Sequence, residues 1–374
     1  MRRAASIGDY RALAKARLPH FLFEYLDGGS YDEVTLRRNV ADLQAVALRQ
    51  RVLRDVSAID LSAKLFGRRW GLPVGLGPVG LSGLYARRGE VQAARAAAAA
   101  NVPFALSTVG ACSLREVAAS GNVPWYQLYF VKDRGFVAEM IARARDAGCG
   151  ALVLTVDLAV PGSRYRDARA AGAGLRRLSQ LLARPGWSWD VGVRGRPHSL
   201  GNLEDIVGRR APLSDFQAWI QANFDASVSW ADVEWVRKQW SGPLIIKGIL
   251  DPEDARAAAD SGADAIVVSN HGGRQLDGVL STARALPGIA GAIGGRLPLL
   301  ADGGVRSGLD VVRMLALGAD FVLLGRAWAY ALAAAGEQGV AHVLKLIEAE
   351  MRVAMALTGS TSIAEVGADV LASA

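Results

Sequence analysis

Short apolar runs recur along the chain, and most of them end in a small, polar or charged residue. Several runs are continuous rather than alternating, which is typical of parallel strands that are buried on both faces. Each run also has the length of a strand. We therefore predict eight strands, at residues 72–77, 102–108, 125–130, 151–157, 243–248, 265–270, 298–303 and 321–326.

Segments rich in helix formers lie between most of these strands, with apolar positions at the helical period. Asp251 and Pro252 suit an N-cap and a first helical position, and Gly262 suits a helix end. Repeated β–α units with eight strands predict an α/β fold of the TIM (β/α)8 barrel type. A doubly wound sheet is the alternative, although it would not need eight consecutive units. The predicted helices are residues 90–100, 135–147, 252–261 and 308–317.

Two regions lie outside the β–α units. The first 70 residues contain two amphipathic helical stretches, around 7–16 and 19–26, followed by irregular chain. A long insertion follows strand four, and connections of that length are usually functional or partly disordered. We expect a single domain over residues 1–374, made of an N-terminal helical extension (1–70), the barrel (71–358) and the insertion (about 168–240).

The insertion combines arginine with tryptophan, which is what a segment lying on a membrane surface needs. An ordinary solvated excursion, with its tryptophans packed back on the barrel, is an equally good interpretation. The residues concerned are Arg176, Arg177, Arg184, Arg194, Arg196, Arg209, Arg210, Trp187, Trp189 and Trp219.

Composition narrows the class of protein. The chain has 374 residues, 51% hydrophobic and 21% charged, which is ordinary for a globular protein with a large core. A net charge of +7 fits an anionic substrate, a phosphate cofactor or an anionic membrane surface. The basic residues form no motif of a nucleic-acid reader, so no nucleic-acid partner is expected.

Cysteine and histidine usage indicates a reduced protein without a metal. Cys112 and Cys149 lie in or beside apolar segments and are expected to be buried free thiols. The four histidines have no metal-ligand spacing, so we expect no metal. The sequence shows no signal peptide and no apolar run of about 18 residues. We expect a cytosolic protein, or one peripheral on the cytosolic side of a membrane.

The strongest chemical signal is the segment 269–278, which follows the strand 265–270. His271 can take a proton near neutral pH, and Arg274 can hold a carboxylate through two hydrogen bonds. The glycines between them allow a tight turn and close approach to a ligand. A histidine in such a turn is often structural, but polar groups also follow the other strands, where barrel enzymes carry their active sites.

The loops after strands seven and eight commonly bind phosphate in this architecture. Gly303, Gly304 and Gly325 can present backbone N–H groups there. Arg306 and Arg326 can pair with phosphate oxygens. Two glycine–arginine loops at both expected places therefore indicate a phosphate-bearing ligand.

Lys247 and Asp157, at the ends of strands five and four, each have more than one interpretation. Lys247 can pair with a nearby acid, form a Schiff base, or stabilise an anionic reduced flavin. Asp157 can pair with Arg164 or orient His271. The residues alone leave these alternatives open.

Four segments together resemble the FMN-dependent 2-hydroxy acid dehydrogenases and oxidases. They are SNHGGRQLD at 269–277, DGGVR at 302–306, YQLY at 126–129 and LTVD at 154–157. The first is highly specific, and the resemblance runs from about residue 7 to beyond 358. Within the family, the chain is most similar to bacterial respiratory L-lactate dehydrogenases, through PGSRYRD at 161–167, KGILDPEDA at 247–255, WDVG at 189–192 and GRPH at 195–198.

The resemblance implies roles for individual residues. His271 would be the base at the substrate C2 centre, and Asp157 would stabilise the imidazolium. Arg164 and Arg274 would bind the substrate carboxylate. The remaining implied roles are Tyr25 beside the carboxylate, Tyr129 on the hydroxyl or keto oxygen, Lys247 at the flavin N1–C2=O edge, Pro78, Val79, Gly80, Ser107, Gln127, Thr155 and Ser269 around the ring, Asp302 at the ribityl chain, and Gly303, Gly304, Arg306, Gly325 and Arg326 at the phosphate.

The resemblance also implies a reaction and partners. FMN would be the cofactor, and an L-2-hydroxy acid, L-lactate first, would be oxidised to the keto acid with electrons passing to membrane quinone. Val109 stands where plant glycolate oxidases carry tryptophan, which leaves room for lactate or a larger side chain such as that of mandelate. A homotetramer, peripheral on the cytoplasmic side of the inner membrane, is expected. The alternatives are an oxidase that uses O2, a mandelate dehydrogenase, a non-redox FMN isomerase, and a flavin-binding protein without turnover.

Overall fold

The computed structural model describes residues 4–121, 123–170, 174–196, 198–207 and 222–372. Eight parallel strands form one sheet in the order β3-β10-β9-β8-β7-β6-β5-β4, and a parallel bridge between Leu76 and Phe104 joins its two edges. The predicted (β/α)8 barrel is confirmed. The strands are β1 Ala63–Leu65, β2 Arg68–Trp70, β3 Val74–Leu76, β4 Ala105–Ser107, β5 Trp125–Tyr129, β6 Leu152–Thr155, β7 Leu244–Ile249, β8 Ala265–Val268, β9 Leu299–Ala301 and β10 Phe321–Leu324.

Helices precede the barrel, surround it and form part of the insertion. They are Ile7–Arg17, His20–Asp27, Val34–Gln44, Gly89–Ala99, Leu114–Ala119, Arg134–Asp146, Tyr165–Ala170, Gly174–Leu182, Pro185–Trp187, Gly201–Val207, Trp230–Gln239, Pro252–Asp260, Thr282–Ile293, Gly308–Ala316 and Arg326–Thr358. A π-helix spans Ser188–Val193, and 3-10 turns span Ser82–Leu84, Ile363–Glu365 and Ala368–Val370. The last long helix is broken at Ala335 and Gly336, where the backbone is not helical.

The four helices expected between strands are present to within about one residue at each end. Asp251 caps its helix as expected, accepting a bond from the Glu253 N–H at 2.7 Å. The expectation of irregular chain after residue 26 was wrong, because the helix Val34–Gln44 lies there. Its buried face includes Thr35 and Asn39, so a search for apolar periodicity could not find it.

The region expected to be irregular also contains the β1–β2 hairpin, which closes the N-terminal end of the barrel. Trp70 packs edge-on against Trp125 at the start of β5, with ring centroids 6.3 Å apart. Together with Leu65, it joins the inward-facing apolar residues of the barrel strands, such as Val153 and Phe321, in one buried cluster. The barrel interior is therefore a packed core at this end, as in other barrels of this type.

The inward-facing positions become polar towards the C-terminal ends of the strands. Two residues beyond Val153 lies Thr155, and two beyond Ile245 lies Lys247. Ser107 and Gln127 occupy the same level on β4 and β5, where they are paired in register. The period of two thus places an apolar plug at one end of the barrel and a layer of polar side chains at the other.

Replacing Trp70 by alanine should lower the free energy of unfolding by about 3–5 kcal/mol, because a large ring leaves a cavity in the plug. The substrate rate constants should be nearly unchanged, because the plug is at the end opposite the polar layer. Urea unfolding and steady-state kinetics measure the two quantities. The control is Arg69→Ala on the exposed face of the same strand, which should cost about 1 kcal/mol or less. An equal loss of unfolding free energy in both variants would contradict the placement of Trp70 in the apolar plug.

Candidate active site

A cavity of about 570 Å³ opens at the C-terminal ends of the barrel strands. It is lined by residues of β5, β7 and β10, by the loops after β3, β4, β6, β8, β9 and β10, by the helix His20–Asp27 and by the insertion. Most residues expected at the site line it: Tyr25, Pro78, Val79, Gly80, Tyr129, Arg164, Lys247, His271, Arg274, Asp302, Gly303, Gly304, Arg306, Gly325 and Arg326. Five others, Ser107, Gln127, Thr155, Asp157 and Ser269, are not among its lining residues and belong to the polar layer and its neighbours.

His271 and Asp157 form a partly buried pair beside the cavity. The Nδ1 atom of His271 lies 2.8 Å from Oδ1 of Asp157, so Nε2 is the nitrogen left for chemistry. Burial alone would raise the pKa of Asp157, but its interactions with His271 and Lys247 hold that pKa below its usual value. The carboxylate therefore stays ionised and can stabilise an imidazolium.

Backbone geometry fixes both members of the pair. His271 has a φ of +57°, a conformation that side chains with a Cβ rarely adopt, and its N–H donates to Ser269 Oγ at 3.0 Å. Asp157 lies against Gly248, where a Cβ would come within 2.6 Å of the aspartate side chain. Gly248 has a φ of +110° at an irregularity in β7, so no other residue fits there without displacing Asp157.

Lys247 is 4% exposed and is held by two partners. Its Nζ donates to Ser269 Oγ at 2.8 Å and lies 3.0 Å from Asp302 Oδ2. Burial lowers the pKa of Lys247, but the charges of Asp302 and Asp157 outweigh burial and raise it above the usual value. A protonated lysine cannot act as a Schiff-base nucleophile, so the structure favours a fixed positive charge here.

Two guanidinium groups lie over the ring of Tyr25, with their carbons 4.9 Å (Arg274) and 5.9 Å (Arg164) from its centroid. Arg274 is fixed by donating through Nη1 to the carbonyls of Tyr25 and Gly28. Burial and the charge of Arg274 lower the pKa of Arg164. This mutual repulsion makes the pair a site for an anion.

The glycine-rich loops after β9 and β10 lie at one side of the cavity. Gly304 has a φ of +83°, and a Cβ there would approach the carbonyl oxygen of Asn39 to 2.0 Å, so only glycine is tolerated. Gly325 precedes the helix Arg326–Thr358, whose first N–H groups can bind an anion. Arg326 donates to the carbonyls of Leu26, Gly28 and Gly272, so its side chain is committed to the backbone.

Buried polar atoms next to the cavity fit the flavin that the resemblance implies. Gln127 Nε2 and Thr155 Oγ1 are buried and have no hydrogen-bond partner among the described residues, which is costly unless a ligand supplies one. A flavin ring carries both donors and acceptors along its edge. The cation of Lys247 would complement a ring carbonyl, and the glycine-rich loops would complement a phosphate.

Sequence reasoning missed several residues at the site. Asp167 and Phe224 line the cavity, and the Phe224 ring lies 5.1 Å from that of Tyr129. Asn202, within the insertion, donates to the carbonyls of Ser107 and Thr108 at the end of β4. Asp167 had a signal, an acid one helical turn after Arg164. The other two had none, because they lie far along the insertion.

A (β/α)8 barrel with a buried base, a guanidinium pair and a glycine-rich anion site at its mouth is the architecture of a flavin-dependent oxidoreductase. The chain belongs to the FMN-dependent dehydrogenase family, whose sequence profile matches residues 14–373. FMN is the cofactor of this family.

Known proteins are similar to this chain over nearly its whole length. L-lactate dehydrogenase of Caulobacter sp. (strain K31) is 62% identical, with 98% of each chain covered. L-lactate dehydrogenase of Ectopseudomonas mendocina (strain ymp) is 61% identical, with 97% of each covered. Among solved structures, the monotopic membrane protein (S)-mandelate dehydrogenase has a TM-score of 0.94 at 36% identity, covering 99% of this chain and 100% of the other. A mandelate oxidase has a TM-score of 0.85 at 39% identity, with coverage of 99% and 98%.

Thr155→Val should weaken FMN binding by about tenfold while leaving the apoprotein as stable or slightly more so. The hydroxyl of Thr155 has no partner among the residues that the structure describes, so its removal should cost no bond within the apoprotein but would remove one bond to the cofactor. FMN titration followed by flavin fluorescence, with urea unfolding of the apoprotein, measures both effects. The control is Thr358→Val, whose hydroxyl bonds to the carbonyls of Ala354 and Met355. Thr358→Val should lose stability and keep its FMN affinity. A Thr155→Val variant that loses stability but keeps its FMN affinity would refute the assignment of Thr155 to the cofactor site.

Proposed function

We propose that the protein oxidises L-lactate to pyruvate with FMN. The observation that carries the proposal is the His271–Asp157 pair beside the guanidiniums of Arg164 and Arg274, which matches a base and a carboxylate clamp to one small 2-hydroxy acid. The names of the most similar relatives support lactate as the substrate.

The clamp fixes the substrate before any bond changes. Arg274 is held by two backbone carbonyls, so it presents its remaining nitrogens without further loss of side-chain freedom. Tyr25 packs under both guanidiniums and sets their separation. Burial raises the pKa of Tyr129, so its phenol stays neutral and donates a hydrogen bond to the substrate C2 oxygen.

The base then acts on the hydroxyl group. His271 takes the hydroxyl proton at Nε2, and the Asp157 carboxylate at Nδ1 stabilises the imidazolium that results. When bound, FMN accepts two electrons and the C2 hydrogen. Lys247 would place a positive charge at the edge of the flavin ring. Gln127, Thr155 and the other polar-layer residues would hold that ring. The loops of Gly303, Gly304, Arg306 and Gly325 would hold the phosphate, and Arg326 would donate its backbone N–H to it.

The end of the cavity that would face the substrate side chain supports a second candidate substrate. Val109 and Phe224 both line the cavity, and Val109 lies so close to Gly80 that a Cβ there would come within 2.8 Å of it. A valine and a phenylalanine accept a methyl group and also suit an aromatic ring. Mandelate is therefore the second candidate, and anaerobic reduction rates with L-lactate and L-mandelate distinguish the two.

His271→Gln should retain FMN and lose about 10³-fold in the rate of flavin reduction by L-lactate, because glutamine keeps a polar side chain but cannot take the proton. Anaerobic stopped-flow absorbance measures both the flavin and its reduction. The control is His342→Gln, which lies on the C-terminal helix beside Tyr10 and should react normally. Reduction of the His271→Gln flavin at the wild-type rate would disprove the assignment and would favour flavin chemistry of another kind.

We further propose that electrons pass to quinone in an anionic membrane, on whose cytoplasmic side the protein lies. The helix Gly174–Leu182 exposes Leu175, Leu178 and Leu182 on one face, at 85%, 51% and 71%. Exposed arginines at positions 176 and 177 flank this face. Apolar residues beside cations suit a helix at the membrane surface.

The tryptophans of the insertion divide between the two earlier interpretations. Trp187 is buried and donates to the carbonyl of Leu84, whereas Trp189 is 62% exposed. Arg209, Arg210 and Trp219 lie outside the described residues. In the described part of the chain, no helix is long and apolar enough to cross a membrane. The proposal is therefore one of contact with the membrane surface, which the exposed leucines of the helix Gly174–Leu182 support.

Membrane contact through this helix predicts that the protein sediments with anionic vesicles, and that Leu178→Glu combined with Leu182→Glu abolishes sedimentation. Turnover with a soluble dye acceptor should stay unchanged, because the changes do not touch the cavity. The control is Val353→Glu with Leu357→Glu, at similarly exposed positions of the C-terminal helix. Wild-type protein that remains in the supernatant, or peroxide formed in proportion to pyruvate, would instead favour an oxidase that uses O2.

We also propose that the chain functions as a single domain and as a homotetramer. The support for one domain is that the N-terminal helix His20–Asp27 and the insertion both line the barrel cavity. The tetramer rests on the resemblance to the family alone.

A further inference from the structure

Asp167 places a carboxylate on the wall of the cavity, beside the two guanidiniums of the clamp. Its side chain is 12% exposed, and its Oδ2 lies 3.7 Å from Arg164 Nη1. Its Oδ1 is buried and has no hydrogen-bond partner in the described part of the chain. A negative charge in an anion site requires an explanation, because it opposes the binding of the substrate.

The geometry does not suit a residue that merely holds Arg164 in place. A 3.7 Å separation is beyond hydrogen-bond distance, whereas structural carboxylate–guanidinium pairs are usually close and bidentate. The other acid on the cavity wall, Asp302, is bonded to Lys247 at 3.0 Å and is thereby neutralised. Burial is the largest effect and raises the pKa of Asp167 above its usual value, and the charges of Arg274 and Arg164 offset this only in part.

We propose that Asp167 is a specificity-determining residue, which restricts the enzyme to 2-hydroxy acids with a single carboxylate. This inference rests on the proposed function. Arg164 and Arg274 contribute two positive charges and Asp167 one negative charge, so the clamp carries a net charge of +1. One substrate carboxylate neutralises it. A second carboxylate would enter a site whose clamp has no remaining net positive charge, so it would gain no further attraction from the clamp.

The test is Asp167→Asn, which keeps the shape of the side chain and removes its charge. Propionate and malonate are the probes, because they differ by one methyl group exchanged for a carboxylate. Binding to the FMN-loaded enzyme is measured by flavin absorbance at neutral pH. The ratio of the malonate Kd to the propionate Kd should fall about tenfold in the variant, corresponding to roughly 1.4 kcal/mol. The kcat/KM of L-malate relative to L-2-hydroxybutanoate should rise by a similar factor.

The matched control is Asp190→Asn, which removes one negative charge from the insertion at a site paired with Arg17 and Arg87. The ratio of the malonate Kd to the propionate Kd in Asp190→Asn should equal that of the wild type. If Asp167→Asn raises the Kd of propionate and of malonate by the same factor, Asp167 only orients Arg164 and the inference is overturned. If that variant does not fold, the wild type decides, since a wild-type enzyme that binds malonate more tightly than propionate contradicts the inference.

The two proposals fail separately. Wild-type flavin that no 2-hydroxy acid reduces would remove the proposed function, whereas the probe ratio needs no turnover. If L-lactate reduces the flavin normally and the ratio of the malonate Kd to the propionate Kd is unchanged in Asp167→Asn, only the specificity role of Asp167 is refuted.

Discussion

Two partly buried guanidiniums hold the C-terminal end of the helix His20–Asp27 against the barrel mouth. Arg274 and Arg326 donate to the carbonyls of Tyr25, Leu26 and Gly28, which the helix itself leaves unsatisfied. Cations at this end also complement the helix dipole. The arrangement concentrates positive charge, and burial lowers the pKa of Arg326 to about 10. These bonds help to hold Tyr25 and Leu26, which the N-terminal extension contributes to the cavity, in place.

A second set of contacts explains how so many charges remain buried at one end of a barrel. Each charge in the polar layer has a partner from another strand, as with Lys247 and Asp302 or His271 and Asp157. Removing one partner would leave the other uncompensated in a region of low dielectric constant. The site is consequently rigid before any ligand enters, and this rigidity is what an oxidation that depends on alignment requires.

Sequence patterns predicted the parts of this structure that follow from burial and from unusual motifs. The strands were found because runs such as 265–268 are apolar on both faces, and His271 and Arg274 because a charged glycine-rich segment follows one of them. The helix Val34–Gln44 and the β1–β2 hairpin were missed, since the first buries polar residues and each strand of the second buries a single side chain. The commitment of Arg326 to carbonyls was equally invisible, because it depends on residues about 300 positions away.

Gln127 Nε2 and Thr155 Oγ1, which have no partner in the described part of the chain, affect how much folded protein a cell can maintain. A chain that folds around unsatisfied polar groups carries a penalty that only its cofactor removes. Because a ligand that binds the folded state alone shifts the unfolding equilibrium by mass action, FMN acts as a structural component as well as a reagent. The abundance of the folded protein should therefore follow the flavin supply, and newly made chains compete for FMN before they compete for substrate.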